Sequence, residues 1–176
     1  MHALIVGDRG VGKSTLIQRV LAELNRPLFG YETKKEEQLE DPVRGCPVYL
    51  YDAGSPHRQM PENLIGYNKE PTAASVTAAF DRYAPRLMEQ IPEGSVVELD
   101  EIGFLEAKSE RFCQAVLHLL DGDAPVIAAV KNRNIPFLET VRTHPNARCF
   151  YITPENRDAL YDEVLSFLRQ QLEEHL

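Results

Sequence analysis

Residues 7–15, Gly-Asp-Arg-Gly-Val-Gly-Lys-Ser-Thr, follow directly on the apolar run His-Ala-Leu-Ile-Val at 2–6. Gly7, Gly12, Lys13 and Ser14 fit the G-x-x-x-x-G-K-[ST] spacing of a phosphate-binding loop. Such a loop needs a buried strand behind it and a helix in front. Consecutive backbone N–H groups wrap a β-phosphate while the helix N-terminus points at it. This sequence supplies both flanks. The apolar run ends at a glycine, as a buried parallel strand does, and Leu16, Val20, Leu21 and Leu24 share one helical face between Lys13 and Asn25. The stretch therefore requires an α/β fold. It names a ligand and leaves the reaction open.

Strand and helix signals alternate along the rest of the chain. After Pro27 come two strand-like pieces, 28–33 and 46–53, joined by a charged segment. Residues 54–71 hold three prolines and two glycines and predict an irregular connection. A helix is expected from Thr72 to about Gln90, a strand at 95–99 ending at Asp100–Glu101, and helical spacing at 108–121. A strand at 125–130, a short helix near 136–143, a strand at 147–152 and an amphipathic helix from about Pro154 to Glu174 complete the order. This alternation predicts a mostly parallel sheet covered on both faces, with 28–58 as a local hairpin elaboration. One domain over 1–176 is expected.

Composition narrows the partners. With 43% hydrophobic and 26% charged residues the chain has the make-up of a soluble globular protein, and no apolar run nears the roughly 20 residues of a membrane span. The motif begins too close to the N-terminus for a signal peptide, so a cytoplasmic protein is expected. The three widely spaced cysteines, Cys46, Cys113 and Cys149, suit reduced thiols. A net charge of −8 speaks against nucleic-acid binding, which takes a basic stripe. A monomer with no identified protein partner is expected.

Within the loop, Gly10 and Gly12 let the backbone come close, and Asp8, Arg9, Val11 and Thr15 complete the cradle. Lys13 is expected to reach the β- and γ-phosphates, with the Ser14 hydroxyl ligating Mg²⁺. Arg9 is open between a phosphate contact and a solvated loop arginine. Such a loop also needs an acid at the end of a neighbouring strand to hold the metal ion. The stretch VVELDEIG, 96–103, offers Asp100, with Glu101 one residue on. Side chains alternate along a strand, so one acid can serve the metal while the other orients or deprotonates water. Glu98 interrupts the apolar run and shares a strand face with Asp100; a structural pair with a cation is expected for it over a catalytic role. The segment VYLYDAGS, 48–55, resembles a γ-phosphate switch, but Asp52 and Gly54 are two apart where D-x-x-G needs three. VKNRN, 130–134, lacks the aspartate of the guanine-reading N-K-x-D.

Four separate stretches carry a family resemblance: GVGKST (10–15), LIGYN (64–68), LDEIGFLEAKSERF (99–112) and FYITPENRDAL (150–160). In this order the chain resembles the small P-loop nucleoside triphosphatases first described in thermophiles, a family with a human cancer-related member. The resemblance implies a three-layer, RecA-like α/β core and slow, Mg²⁺-dependent hydrolysis of ATP, GTP and other nucleoside triphosphates with loose base selectivity. It implies Lys13 and Ser14 at the phosphates and metal, Asp100 at the metal and Glu101 as the base. Asn156 and Arg157 match a family signature and are open between a place beside the base or ribose and a helix-start or salt-bridge role. Two departures stand out. TKKEEQ at 33–38 replaces an acidic stretch followed by an arginine, and Glu98 stands where the family prefers an apolar residue. Hydrolysis is the leading reading. A kinase for a small acceptor and a nucleotide-timed regulator use the same loop, although no arginine-rich lid is evident and Arg58, Arg133 and Arg142 are unassigned.

Overall fold

The computed structural model describes residues 1–70 and 73–174. Its elements run β1 (His2–Gly7), α1 (Lys13–Leu24), β2 (Leu28–Lys35), β3 (Pro47–Asp52), β4 (Leu64–Tyr67) and α2 (Ala73–Leu87). They continue with β5 (Val96–Ile102), α3 (Glu110–Asp121), β6 (Val126–Lys131), α4 (Pro136–Arg142), β7 (Ala147–Tyr151) and α5 (Arg157–Glu174). Among the described residues the strands form one seven-stranded sheet in the order β4-β3-β2-β5-β6-β1-β7. β7, β1, β6, β5 and β2 are mutually parallel, and β3 and β4 add antiparallel at the β2 edge.

Strand alternation splits the core into two layers. Leu4, Val6, Val97, Leu99, Ala128 and Val130 face α2, α3 and α4, which contribute Phe80, Phe112, Leu120 and Leu138. The intervening Ala3, Ile5, Ile127 and Ala129 face α1 and α5, where Ile17, Val20, Val164 and Leu168 close over them. Burying each of these aliphatic side chains is worth about 1.5–3 kcal/mol before conformational entropy is counted. Three layers, helix–sheet–helix, result. At Gly30 the backbone adopts φ +110° and a Cβ would lie 2.1 Å from the Glu98 carbonyl oxygen, so glycine alone lets β2 close on β5 there.

Several expected boundaries move. The 54–71 segment is not wholly irregular: a 3-10 turn at Pro61–Asn63 leads into β4, which pairs with β3 across a bulge at Val48/Tyr49. Four residues flanked by turn formers carry too little periodicity to announce themselves. Thr72, the expected start of α2, lies outside the described residues, and the helix stops at Leu87, one turn short of Gln90. Pro85 removes a donor near that end. α5 begins at Arg157, because 154–156 form a turn whose Asn156 carbonyl accepts from Leu160 N–H at 2.9 Å. The largest departure is topological. The acid-bearing β5 is not adjacent to β1: β6 lies between them, parallel to both.

Candidate active site

The phosphate loop leaves β1 at Gly7 and enters α1 at Lys13, with Gly10 at φ +79° and Gly12 at φ +104°. Gly12 is required by its left-handed backbone, and a Cβ there would lie a tight 3.1 Å from Arg157 Cδ. Lys13 is 5% exposed. Its ammonium donates to the carbonyls of Gly7 at 3.1 Å and Asp8 at 2.8 Å, so the loop's own backbone aims it along the cradle. Val11 packs against the α1/α5 core. Asp8 and Arg9 line a cavity of about 600 Å³ together with Phe104, Lys131, Asn132 and Arg133.

β5 brings the acids to this loop by simple periodicity. Glu98 and Asp100 lie two apart on the face turned toward α1, and Ser14 and Gln18 lie four apart on α1. The two ladders mesh: Ser14 Oγ donates to Asp100 Oδ1 at 3.0 Å, and Gln18 Nε2 donates to Glu98 Oε1 at 2.7 Å. The β5–β6 register then slips between Asp100 and Ile102. Leu99 and Ile102, three apart, both face the α2/α3 layer, so Glu101 is the extra residue of a bulge and is free to turn toward the loop. Its carboxylate meets Lys13 Nζ at 3.6 Å and Lys131 Nζ at 2.9 Å. β2 braces the pair from behind, with Thr33 Oγ1 donating to the Asp100 carbonyl at 3.3 Å and Tyr31 OH to the Glu101 carbonyl at 3.0 Å.

Burial sets the electrostatics. Desolvation pushes the Asp100 carboxyl up to about 6, opposed by the Ser14 hydrogen bond and raised further by Glu101. Glu98 is pushed up to about 8, first by desolvation and then by Glu32 and Asp100. The cation expected beside Glu98 is therefore replaced by a neutral amide: Gln18 satisfies a carboxyl that burial keeps protonated near neutral pH. Glu106, sealed beneath Gly103, whose N–H it accepts at 2.9 Å, rises to about 7 by desolvation.

Lys131 and Arg157 are the residues whose placement was hardest to foresee. Only the insertion of β6 between β1 and β5 brings Lys131 beside Glu101, and a sequence cannot display strand order. Arg157 lies against Gly12 and lines, with Thr15, Arg19, Pro154 and Asp158, a cleft of about 330 Å³ on the opposite flank of the loop from Glu101. Asn156 is committed to the turn: its Oδ1 accepts from Thr153 N–H and its Nδ2 donates to the Tyr151 carbonyl, each at 2.8 Å. Arg142 braces the turn after β6 through the carbonyls of Lys131 and Arg133. Arg58 lines a separate cavity beyond the far end of β3, with Arg82 and Arg86.

Among the described residues no cluster of three or more His, Cys, Asp or Glu forms a ready-made metal cage. Mg²⁺ does not need one. It keeps several waters and takes one or two protein oxygens plus substrate phosphates. A hydroxyl and a buried carboxylate 3.0 Å apart, beside the phosphate loop, are a fitting donor set.

A family model described as NTPase matches residues 2–165. The chain belongs to this NTPase family. Among curated relatives, the nucleoside-triphosphatase THEP1 of Pyrococcus abyssi is 30% identical, covering 98% of this chain and 94% of its own length. A cancer-related nucleoside-triphosphatase homolog of Bos taurus is 25% identical over 96% of each chain. The crystal structure of THEP1 from Aquifex aeolicus matches with a TM-score of 0.62 at 24% identity, covering 96% of this chain and 99% of that one. The solution structure of a human cancer-related nucleoside triphosphatase matches at 0.66 and 23%, covering 96% and 97%. At those identities the solved structures speak for the fold, and the RecA-like, three-layer expectation agrees with them. Among the described residues no helix of this NTPase is long and apolar enough to cross a membrane.

Proposed function

We propose that this NTPase hydrolyses nucleoside 5′-triphosphates, ATP and GTP among them, to the diphosphate and phosphate, with Mg²⁺ as cofactor and weak selectivity for the base. The observation that carries the reading is the divided acid pair: Asp100 is bonded to Ser14, while Glu101, one residue on, is turned by a bulge onto Lys13 and Lys131.

Ser14 and Asp100 would hold Mg²⁺, which when bound neutralises charge on the β- and γ-phosphate oxygens. The loop N–H groups and Lys13 hold the phosphates in place. Without nucleotide, Lys131 pairs with Glu101 at 2.9 Å and Lys13, bonded to two loop carbonyls, stands 3.6 Å from it. A bound γ-phosphate competes for both, releasing the carboxylate toward water. Glu101 then takes the water proton as the water oxygen bonds to Pγ, and the Pγ–O bridge breaks with its electron pair remaining on the β-phosphate. Lys131, 2.9 Å from Glu101, would stabilise charge on the transferring group. Arg157, its side chain packed against Gly12, lines the cleft proposed for the nucleoside, which fits a site that holds a base without reading it.

Phosphate release by purified protein tests this. Release from ATP and GTP that needs Mg²⁺ and stops with excess chelator is expected; no release above a protein-free blank from either nucleotide would refute it.

A further inference from the structure

Behind Glu101, on the side away from the nucleoside cleft, lies a second cavity of about 440 Å³, within the range of about 300–1,000 Å³ of small-molecule sites. Its floor is apolar, built from Val48 and Ile65 of the antiparallel edge, Val76 of α2 and Leu105. Its charged lining is mostly cationic: Arg9, Lys35, Lys108 and Lys131 against Glu101 and Glu106. In a chain of net charge −8 that is a local reversal of sign.

The balance is more lopsided than the count. Lys131 and Glu101 offset one another at 2.9 Å. Among the described residues Arg9 and Lys108 have no carboxylate partner, and Lys35 holds only Glu37, in a pair open to solvent that is worth little and easily exchanged. The Glu37 hydrogen bond and charge raise the Lys35 pKa above its ordinary value, with Arg9 acting in the opposite direction. Lys108 Nζ rests 4.2 Å from the centre of the Phe104 ring, and that ring is 53% exposed, a large apolar face the core does not use. These cations reach solvent and are solvated without a ligand, and together with the apolar floor and the open aromatic face they offer an anion with an apolar body both charge and contact.

The cavity is also joined to the phosphate loop. Arg9, Phe104 and Lys131 line both it and the cavity of about 600 Å³ beside Gly7 and Asp8. Arg9 and Lys131 thus stand between the two spaces, while Lys35 and Lys108 line only the second. Capture of a triphosphate accounts for the first two cations and not for the last two.

We propose that this cavity is a second ligand site for a small organic phosphate monoester, its dianion on Lys35 and Lys108 and its apolar or planar body on Phe104, Val48, Ile65 and Leu105. The assignment rests on the triphosphate lying in the phosphate loop, so that the two ligands meet across Glu101. A dianion suits two lysines with Arg9 near by better than a carboxylate does, and the aromatic face and apolar floor suit a ligand with a body better than free phosphate.

Phenyl phosphate is a probe with both parts. The protein is first saturated with β,γ-imido-ATP and Mg²⁺, which fills the loop, and phenyl phosphate is then titrated calorimetrically. Saturable binding is expected, with phenol at least tenfold weaker. A Lys35→Gln/Lys108→Gln variant should bind phenyl phosphate at least tenfold more weakly, with its affinity for the imido analogue and its phosphate release from ATP unchanged. No saturable binding, equal binding of phenol, or binding indifferent to the double substitution would overturn the site. Should the variant fail to fold, the phenyl phosphate and phenol comparison on the parent decides. Failure to bind the imido analogue at all would instead count against the hydrolase reading, and the same titrations on unloaded protein would then judge this site by the same criteria.

Discussion

Lys13 contributes little to the core: its ammonium is bonded to two loop carbonyls and paired at long range with Glu101. Lys13→Ala should therefore fold and yet lose about 1.5–3 kcal/mol of triphosphate binding, the worth of charged hydrogen bonds, or roughly 10–150-fold in Kd. Calorimetry showing parental ATP affinity in a folded variant would remove the lysine from the site. Glu98 behaves in the opposite way, since burial and two nearby acids raise its folded carboxyl from 4.5 to about 8. The folded state keeps a proton that the unfolded chain gives up, so this residue's contribution is fully present below about 4.5 and is lost as pH rises through about 8. Glu98→Gln keeps an acceptor for Gln18 and removes the titration. Measured by urea unfolding without Mg²⁺, the variant should match the parent near pH 4.5 and exceed it near pH 9 by on the order of 2–4 kcal/mol. Equal stability at both ends would mean that Glu98 is better solvated than its 1% exposure indicates.

The end of β5 is an element-level device, because one inserted residue turns two adjacent carboxylates to two sets of partners, Ser14 for Asp100 and the two lysines for Glu101. Asp100→Asn should weaken Mg²⁺-dependent nucleotide binding together with turnover, since an amide holds a hydrated cation less well. Glu101→Gln retains shape and a hydrogen bond, so binding should survive while kcat falls about 10²–10⁴-fold, the usual worth of a positioned base. Turnover within about threefold of the parent in Glu101→Gln would pass the role to another carboxylate, with Glu106 next in reach beneath Gly103. Much of this element was legible beforehand. Period-2 alternation put Glu98 and Asp100 on one face, and helical spacing put Ser14 at the start of α1. The bulge was not legible, because nothing in VVELDEIG marks where a register slips. β4 escaped notice for a related reason: its four residues gain their structure from pairing with β3, and not from any pattern of their own.

At the level of the whole molecule, sheet order is what the sequence could not show. The motifs gave an α/β fold and its loop, but the position of β6 between β1 and β5 depends on long-range pairing, and it alone delivers Lys131 to Glu101. The same order divides the loop's surroundings, with the Arg157 cleft on one flank and the lysine-lined cavities on the other. That division bears on base selectivity. The cleft proposed for the nucleoside is lined by Gly12, Thr15, Leu16, Arg19 and residues 154–158, and the Asn156 side-chain amide in that stretch is already spent on Thr153 and Tyr151. Strong discrimination between adenine and guanine requires buried polar groups that the wrong base leaves unpaired. An exposed arginine packed on a glycine supplies stacking and charge to either purine and penalises neither. ATP and GTP should accordingly be hydrolysed with kcat/KM values within about tenfold, roughly 1.4 kcal/mol in transition-state binding. Steady-state assays on both nucleotides at one Mg²⁺ concentration measure the ratio directly. A preference beyond about a thousandfold would require a base-reading contact that residues 154–158 do not hold in this arrangement, and the 154–156 turn would then have to rearrange around the bound nucleotide.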